Sequence, residues 1–142
     1  MTFFVDANVV LYSASASDYR KPCRAVLQAI IDGDATGRTS TAALEEVWHV
    51  EWTGRAENLT GLTAAAHSIL APLLAMTDEI FARALALDAT SGGTNDRLHV
   101  ATCLENGIEV ILSADAHFDA VPGIRRVDPL DEGGVAELLV QV

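Results

Sequence analysis

Two short apolar runs in this chain each lead into acid. Thr2-Phe3-Phe4-Val5 is followed by Asp6, and Val110-Ile111-Leu112-Ser113 is followed closely by Asp115. Runs this short, rich in β-branched and aromatic residues, read as buried strands. A carboxylate at the C-terminal end of a buried strand stands where open α/β sheets bind their ligands. Several carboxylates gathered there would repel one another, and a divalent cation is the usual remedy. Metal-assisted phosphodiester chemistry is the expectation that follows.

The segments around these runs decide what kind of sheet is available. A short helix or turn is expected over residues 8–14. A second helix has Pro22 in its first turn and runs through Cys23, Val26, Leu27, Ile30 and Ile31 to Gly33. A third is capped by Thr41, carries Leu44, Val47 and Trp48, and stops at Gly54 after about Trp52. Another spans 62–70, ahead of Pro72. Thr77 opens the next, through Phe81, Ala84, Leu85 and Leu87, and Thr94 or Asn95 caps one over 96–105 closed by Asn106-Gly107. Further strands are expected over 36–40, 109–112 and 123–127, with a short piece over 73–76, a polar turn over 113–119, and a weak helix or tail over 130–142. Strands that alternate with helices make a parallel sheet covered on both faces, an α/β fold. The length of 142 residues, with no repeat or low-complexity segment, suits one domain over 1–142.

Composition narrows the function classes. No run of about 18 apolar residues occurs, so no membrane span is expected. The N-terminus shows no basic segment followed by a long apolar stretch, so no secretory signal is expected. Cys23 and Cys103 lie far apart and form no C-x-x-C pair, which suits reduced structural thiols in a cytoplasmic protein. The net charge of −11 argues against a general nucleic-acid coat, which needs a basic surface. It does not exclude a nuclease whose acids are committed to metal. It also suits a protein made to meet a basic partner.

Asp6, Glu46, Asp96 and Asp115 are the acids that right-handed crossovers can bring to one edge of the sheet. An oxygen-rich set without Cys or His suits Mg²⁺, or Mn²⁺, rather than Zn²⁺. Each acid has an ordinary reading when taken singly. Asp6 suits a helix N-cap, and Glu46 beside Glu45 suits a solvated helix face. Asp96 suits the first turn of a helix, and Asp115 and Asp119 suit a turn. Their joint placement favours a shared site. The sequence holds no G-x-x-x-x-G-K-[ST], G-x-G-x-x-G or G-x-S-x-G pattern, and Gly92-Gly93 reads as a flexible loop.

Four blocks then carry a resemblance. Phe4-Val5-Asp6-Ala7-Asn8-Val9-Val10-Leu11 resembles the opening of PIN domains. Ser40-Thr41-Ala42-Ala43-Leu44-Glu45-Glu46-Val47 resembles their second block, whose acid stands six residues after the serine, which selects Glu46 over Glu45. Asn95-Asp96-Arg97-Leu98-His99-Val100-Ala101-Thr102 and Ile111-Leu112-Ser113-Ala114-Asp115-Ala116-His117-Phe118-Asp119 resemble the third and fourth, and residues 121–129 continue the last. The blocks lie in order along nearly the whole chain. The resemblance implies a three-layer α/β/α sandwich with a central parallel sheet and a Mg²⁺-dependent ribonuclease. A single-domain member of this size is similar to VapC-type toxins, which cut RNA, are held inactive by a cognate antitoxin and commonly form homodimers. It implies Asp6 and Asp96 as principal metal ligands and Asp115 as the third. Glu46 completes the site, through water or as a base, with Asn8 and Ser113 supporting the ligands. Asp119 competes with Asp115 for one role, and Asp115, closer to the strand end, is preferred.

The remaining singular residues have quieter readings. Glu46-x-x-His49 and Asp96-x-x-His99 each set an acid and a histidine on one helix face, yet His99 among Leu98, Val100 and Ala101 reads as a core or interface histidine. His117 reads as a turn cap, Met76 and Phe81 as core. Trp48 and Trp52 read as packing together in the core or at a partner surface, and Arg125-Arg126 as ordinary surface charges. Two alternatives to the toxin stand beside it: a housekeeping PIN nuclease in RNA processing, and a catalytically inactive PIN-fold binding module. A phosphoacceptor domain would want a late lysine, but Lys21 is the only lysine. A haloacid-dehalogenase-like phosphatase would want Asp where Asn8 stands.

Overall fold

A computed structural model describes residues 1–54, 58–88 and 91–139. Four strands, β1 (Thr2–Val5), β2 (Thr36–Arg38), β3 (Val110–Leu112) and β4 (Arg125–Val127), form one all-parallel sheet in the order β2-β1-β3-β4. Between and after them run α1 (Ala7–Ser13), α2 (Arg20–Ile31), α3 (Thr41–Thr53), α4 (Leu62–Leu70), α5 (Asp78–Ala86), α6 (Thr94–Glu105) and α7 (Glu132–Leu138), with a 3-10 turn over Ala116–Ala120. The chain steps from β1 to β2 on one side, then crosses back over β1 to β3. The strand order therefore reverses between β1 and β3, which is where a crevice opens beyond the strand ends.

Side-chain alternation along the strands builds the two faces. Phe3, Val5, Val110 and Leu112 point to one side, where Val9, Cys23, Val26, Val47, Leu70 and Leu138 cover them. Phe4 and Ile111 point to the other, against Val100, Cys103, Phe118 and Ile124. Helices α1, α2, α4 and α7 thus line one layer, α6 lines the other, and α3 contributes to both through Leu44 and Val47 on one side and Ala43 on the other. A central parallel sheet must be dry on both faces, and these apolar strands satisfy that. The result is the expected α/β/α sandwich.

Several local expectations are corrected. Ser40, not Thr41, caps α3, its Oγ accepting the Ala43 N–H at 3.0 Å. The piece over 73–76 supplies no strand, only a bridge between Leu74 and Ser40. Neither Thr94 nor Asn95 caps α6; the helix starts after Gly93 with no side-chain cap, and Asp96 occupies its first turn. Phe81 is 51% exposed, because α5 buries the neighbouring Ile80 and Ala84 against Ala101 and turns the next position outward. Met76 is half-buried against that cluster. Trp48 and Trp52 are 58% and 81% exposed, since α3 faces the core through Ala43, Leu44 and Val47. Of the expected tail helix, residues 140–142 lie outside the described residues. Among the described residues no helix is long and apolar enough to cross a membrane.

Cys23 and Cys103 are free, fully buried and on opposite faces of the sheet. Burial pushes both thiols up to about 12, so little thiolate exists near neutral pH. Neither is expected to react with Ellman's reagent in the native protein, and both should react on denaturation. Titration with and without guanidinium chloride checks this.

Candidate metal centre

Asp6 is the first residue beyond β1. Its N–H extends the ladder to the Leu112 carbonyl at 3.1 Å, so its position follows from the β1–β3 register. Its Oδ1 caps α1 by accepting the Ala7 N–H at 2.8 Å, as the ordinary reading of this residue anticipated. Its Oδ2 accepts the Ser113 hydroxyl at 2.7 Å and the Asn8 amide at 3.2 Å. Ser113 follows β3 and is fully buried. Its Oγ also receives the Asn8 amide at 3.1 Å and the Asp115 N–H at 3.0 Å, while the Asn8 carbonyl oxygen accepts the Ala114 N–H at 3.3 Å. Asn8 and Ser113 therefore join the ends of two adjacent strands around one carboxylate.

The other acids arrive from helices. Glu46 projects from α3, with its side chain 25% exposed, and its Oε1 lies 3.1 Å from His99 Nε2. Asp96 projects from the first turn of α6. Gly92 lies so close over it that a Cβ there would stand 2.6 Å from Asp96 Oδ2, and the φ of +91° at Gly92 also favours glycine. Asp115 sits beyond β3, its Oδ1 accepting the His117 N–H at 3.0 Å. Polar atoms of Asp6, Glu46 and His99 lie within 4.8 Å of one another, and so do those of Asp96, Asp115 and His117. His99 also lies within electrostatic reach of Asp96, which links the two groups.

Electrostatics show what this arrangement costs. Burial raises the Asp6 pKa above the ordinary carboxylate value, with Glu46 adding to the shift and His99, Ser113 and the Ala7 N–H opposing it. Burial and the neighbouring Asp115 raise Asp96, against a backbone hydrogen bond from Gly93 and the charges of His99 and His117. For His99 burial disfavours the charged ring, but the Glu46 hydrogen bond and the charges of Asp6, Glu46 and Asp96 outweigh it and raise its pKa. Carboxylates whose ionisation is resisted by burial and by one another are those a cation would relieve. The carboxylates could hold a divalent cation, although each group also includes a histidine, unlike the oxygen-only set expected from the sequence.

The two acids competing beyond β3 separate by their partners. Asp115 stands with Asp96. Both oxygens of Asp119 are held by Arg126, from Nε at 2.9 Å and Nη2 at 3.0 Å, and these hydrogen bonds pull its pKa down. Arg126 also donates to the Ser113 carbonyl and to Asp128, both at 3.0 Å, so it is a structural clamp rather than a surface charge. His117 does not cap the turn: Asp115 does, its Oδ1 accepting the His117 N–H, while the exposed His117 ring stands 3.2 Å from that same oxygen. His49 is exposed, beside Glu45, Trp48 and Trp52.

Sequence reasoning passed over three contributors: His99, Arg126 and Gly92. The Asp96-x-x-His99 spacing held a usable signal, because it places both side chains on one face of α6. Nothing local marked Arg126 or the approach of Gly92.

The PIN-domain family model matches residues 3–124. Among solved structures, a chain in the crystal structure of VapBC2 from Rickettsia felis bound to a DNA fragment from their promoter superposes with a TM-score of 0.66 at 14% identity, covering 90% of this chain and 98% of that one. Comparison with curated proteins finds no match.

Two outcomes follow for the acids. The raised pKa of Asp6 means that its ionisation opposes folding, increasingly as pH rises from the usual carboxylate value through the raised one. Metal-free Asp6→Asn is therefore expected to melt no lower than wild type at pH 7, and to lose most of the rise in Tm that Mn²⁺ gives wild type, as read by calorimetry. Asp115→Asn should weaken Mn²⁺ binding in isothermal titration, whereas Asp119→Asn should leave it unchanged.

Proposed function

Because this chain belongs to the PIN-domain family, we propose that it is a Mg²⁺-dependent endoribonuclease, the toxin component of a VapBC-type toxin–antitoxin pair. The observation that supports this reading is a pair of groups beyond the ends of β1 and β3, Asp6 with Glu46 and His99, and Asp96 with Asp115 and His117, linked by the electrostatic reach of His99 to Asp96. Asp6, Asp96 and Asp115 are assigned as the cation's ligands, with Mn²⁺ as a substitute for Mg²⁺. A divalent ion there supplies Lewis-acid neutralisation of phosphodiester charge. Asn8 and Ser113 hold Asp6 in a single orientation. Glu46, on a half-open helix face, is the group available to take a proton from an attacking water or to hold that water in line.

The acidic balance supports a basic protein partner more readily than a broad RNA-binding surface. The exposed Trp48, Trp52, Phe81 and Leu85 support contact with other chains, the cognate antitoxin and a second copy of this chain. The likeness in fold to a VapBC2 chain supports the toxin over a housekeeping nuclease that processes RNA.

The deciding experiment compares wild type with Asp96→Asn on a total RNA pool. Wild type is expected to cleave with added Mg²⁺ and stop with EDTA. Loss of outer hydrogen-bond partners alone costs about 10–100-fold, so loss of this ligand should cost at least about 100-fold. Cleavage that survives Asp96→Asn and Asp6→Asn together would sink the nuclease reading. Growth arrest on expression, relieved by the product of a neighbouring reading frame, separates the toxin from an RNA-processing enzyme.

A further inference from the structure

Asp6 is fixed by hydrogen bonds from the ends of two strands, and Asp115 by its own turn. Glu46 has no comparable backbone anchor in the described residues. It sits at the end of a flexible side chain on α3, and the hydrogen bond that holds it comes from His99. His99 in turn has almost no freedom. It is 1% exposed, and its ring lies against Phe4 with centroids 5.5 Å apart.

The two ring nitrogens face different surroundings. Nε2 looks at two carboxylates, Glu46 Oε1 at 3.1 Å and Asp6 Oδ1 at 3.9 Å. Nδ1 is buried with no hydrogen-bond partner among the described residues. An atom facing two carboxylate oxygens must carry hydrogen, so Nε2 is the donor whether the ring is neutral or charged. A residue that only filled space here would need no nitrogen at all, and leaving Nδ1 unpaired is unfavourable. The imidazole is thus an inflexible donor, mounted on α6 one turn after Asp96 and aimed across to α3.

We propose that His99 is a positioning residue for Glu46. Its Nε2–H fixes Glu46 Oε1, which leaves Oε2 as the oxygen offered to the cation's water shell or to the attacking water. The same ring stands between Glu46 and Asp6 and keeps their carboxylates from repelling one another apart. It also ties the register of α3 to that of α6, the helix that carries Asp96. The chemistry rests on the nuclease reading, but the hydrogen bond itself is readable in the metal-free protein.

Two substitutions separate the donor from the packing. Gln places an N–H donor the same number of bonds from the backbone as imidazole Nε2, whereas Phe fills the space without one. His99→Phe is expected to weaken Mn²⁺ binding by about tenfold or more and to lower kcat with KM little changed, and His99→Gln to recover most of both. Nitrogen-resolved NMR of the metal-free wild type should show a His99 Nε2–H proton protected from exchange, and Glu46→Ala should remove that protection. This measurement stands even if His99→Phe does not fold. Wild-type Mn²⁺ affinity and kcat in His99→Phe would overturn the proposal. Equal losses in His99→Phe and His99→Gln, with both melting like wild type, would also overturn it, as would an unprotected Nε2–H in wild type. A wild type that shows the protected proton and the Mn²⁺ pattern but cuts no RNA counts against the nuclease and leaves the positioning role standing.

Discussion

Burying a carboxylate at the end of a central strand is unfavourable unless something answers its charge, and the structure around Asp6 is organised by that demand. Two side chains and a helix N-terminus supply hydrogen bonds to it, from the start of α1 and from the distant end of β3. Ala7 offers the first turn of α1, Ser113 the end of β3, and Asn8 bridges the two. The β1–β3 register, the start of α1 and the turn after β3 are therefore all set around one residue. Even so, burial still raises its pKa, and this residual disfavour leaves room for a cation.

The remaining polar machinery follows from that centre. Arg126 on β4 draws Asp119 aside and holds the Ser113 carbonyl, so the loop that presents Asp115 is tied to the edge strand. Gly92 lets the loop before α6 lie directly over Asp96. His99 carries the order from α6 to α3. Each link is a hydrogen bond or a steric allowance, laid on a sheet whose central strands, β1 and β3, bury apolar side chains on both faces.

The apolar positions on the outside are equally informative. α3 and α5 each bury one stripe and present another, with Trp48 and Trp52 on one helix and Phe81 and Leu85 on the other. Expecting Phe81 in the core was reasonable from hydrophobicity, but Ile80 and Ala84 satisfy the contact with Ala101 and leave Phe81 no core to enter. Helical periodicity identifies which residues share a face. It does not identify which face meets the sheet when a helix carries two apolar stripes.

Much of this protein was determined by the sequence alone. Short apolar runs and glycine stops pointed to a parallel sheet covered on both faces, because alternation and chain reversal are local properties, and the four blocks in order carried the resemblance to the family. Helix α4 was located at its true bounds for the same reason. Tertiary structure alone decided the partners of the acids. Asp115 and Asp119 are four residues apart and chemically alike, and only the position of Arg126, brought alongside by β4, separates them. His99 looked like core, and it is core, yet its ring also faces Glu46 from a residue 53 positions away. The physical reason is that a hydrogen bond is set by where two helices pack, and packing distance cannot be read from spacing along one chain.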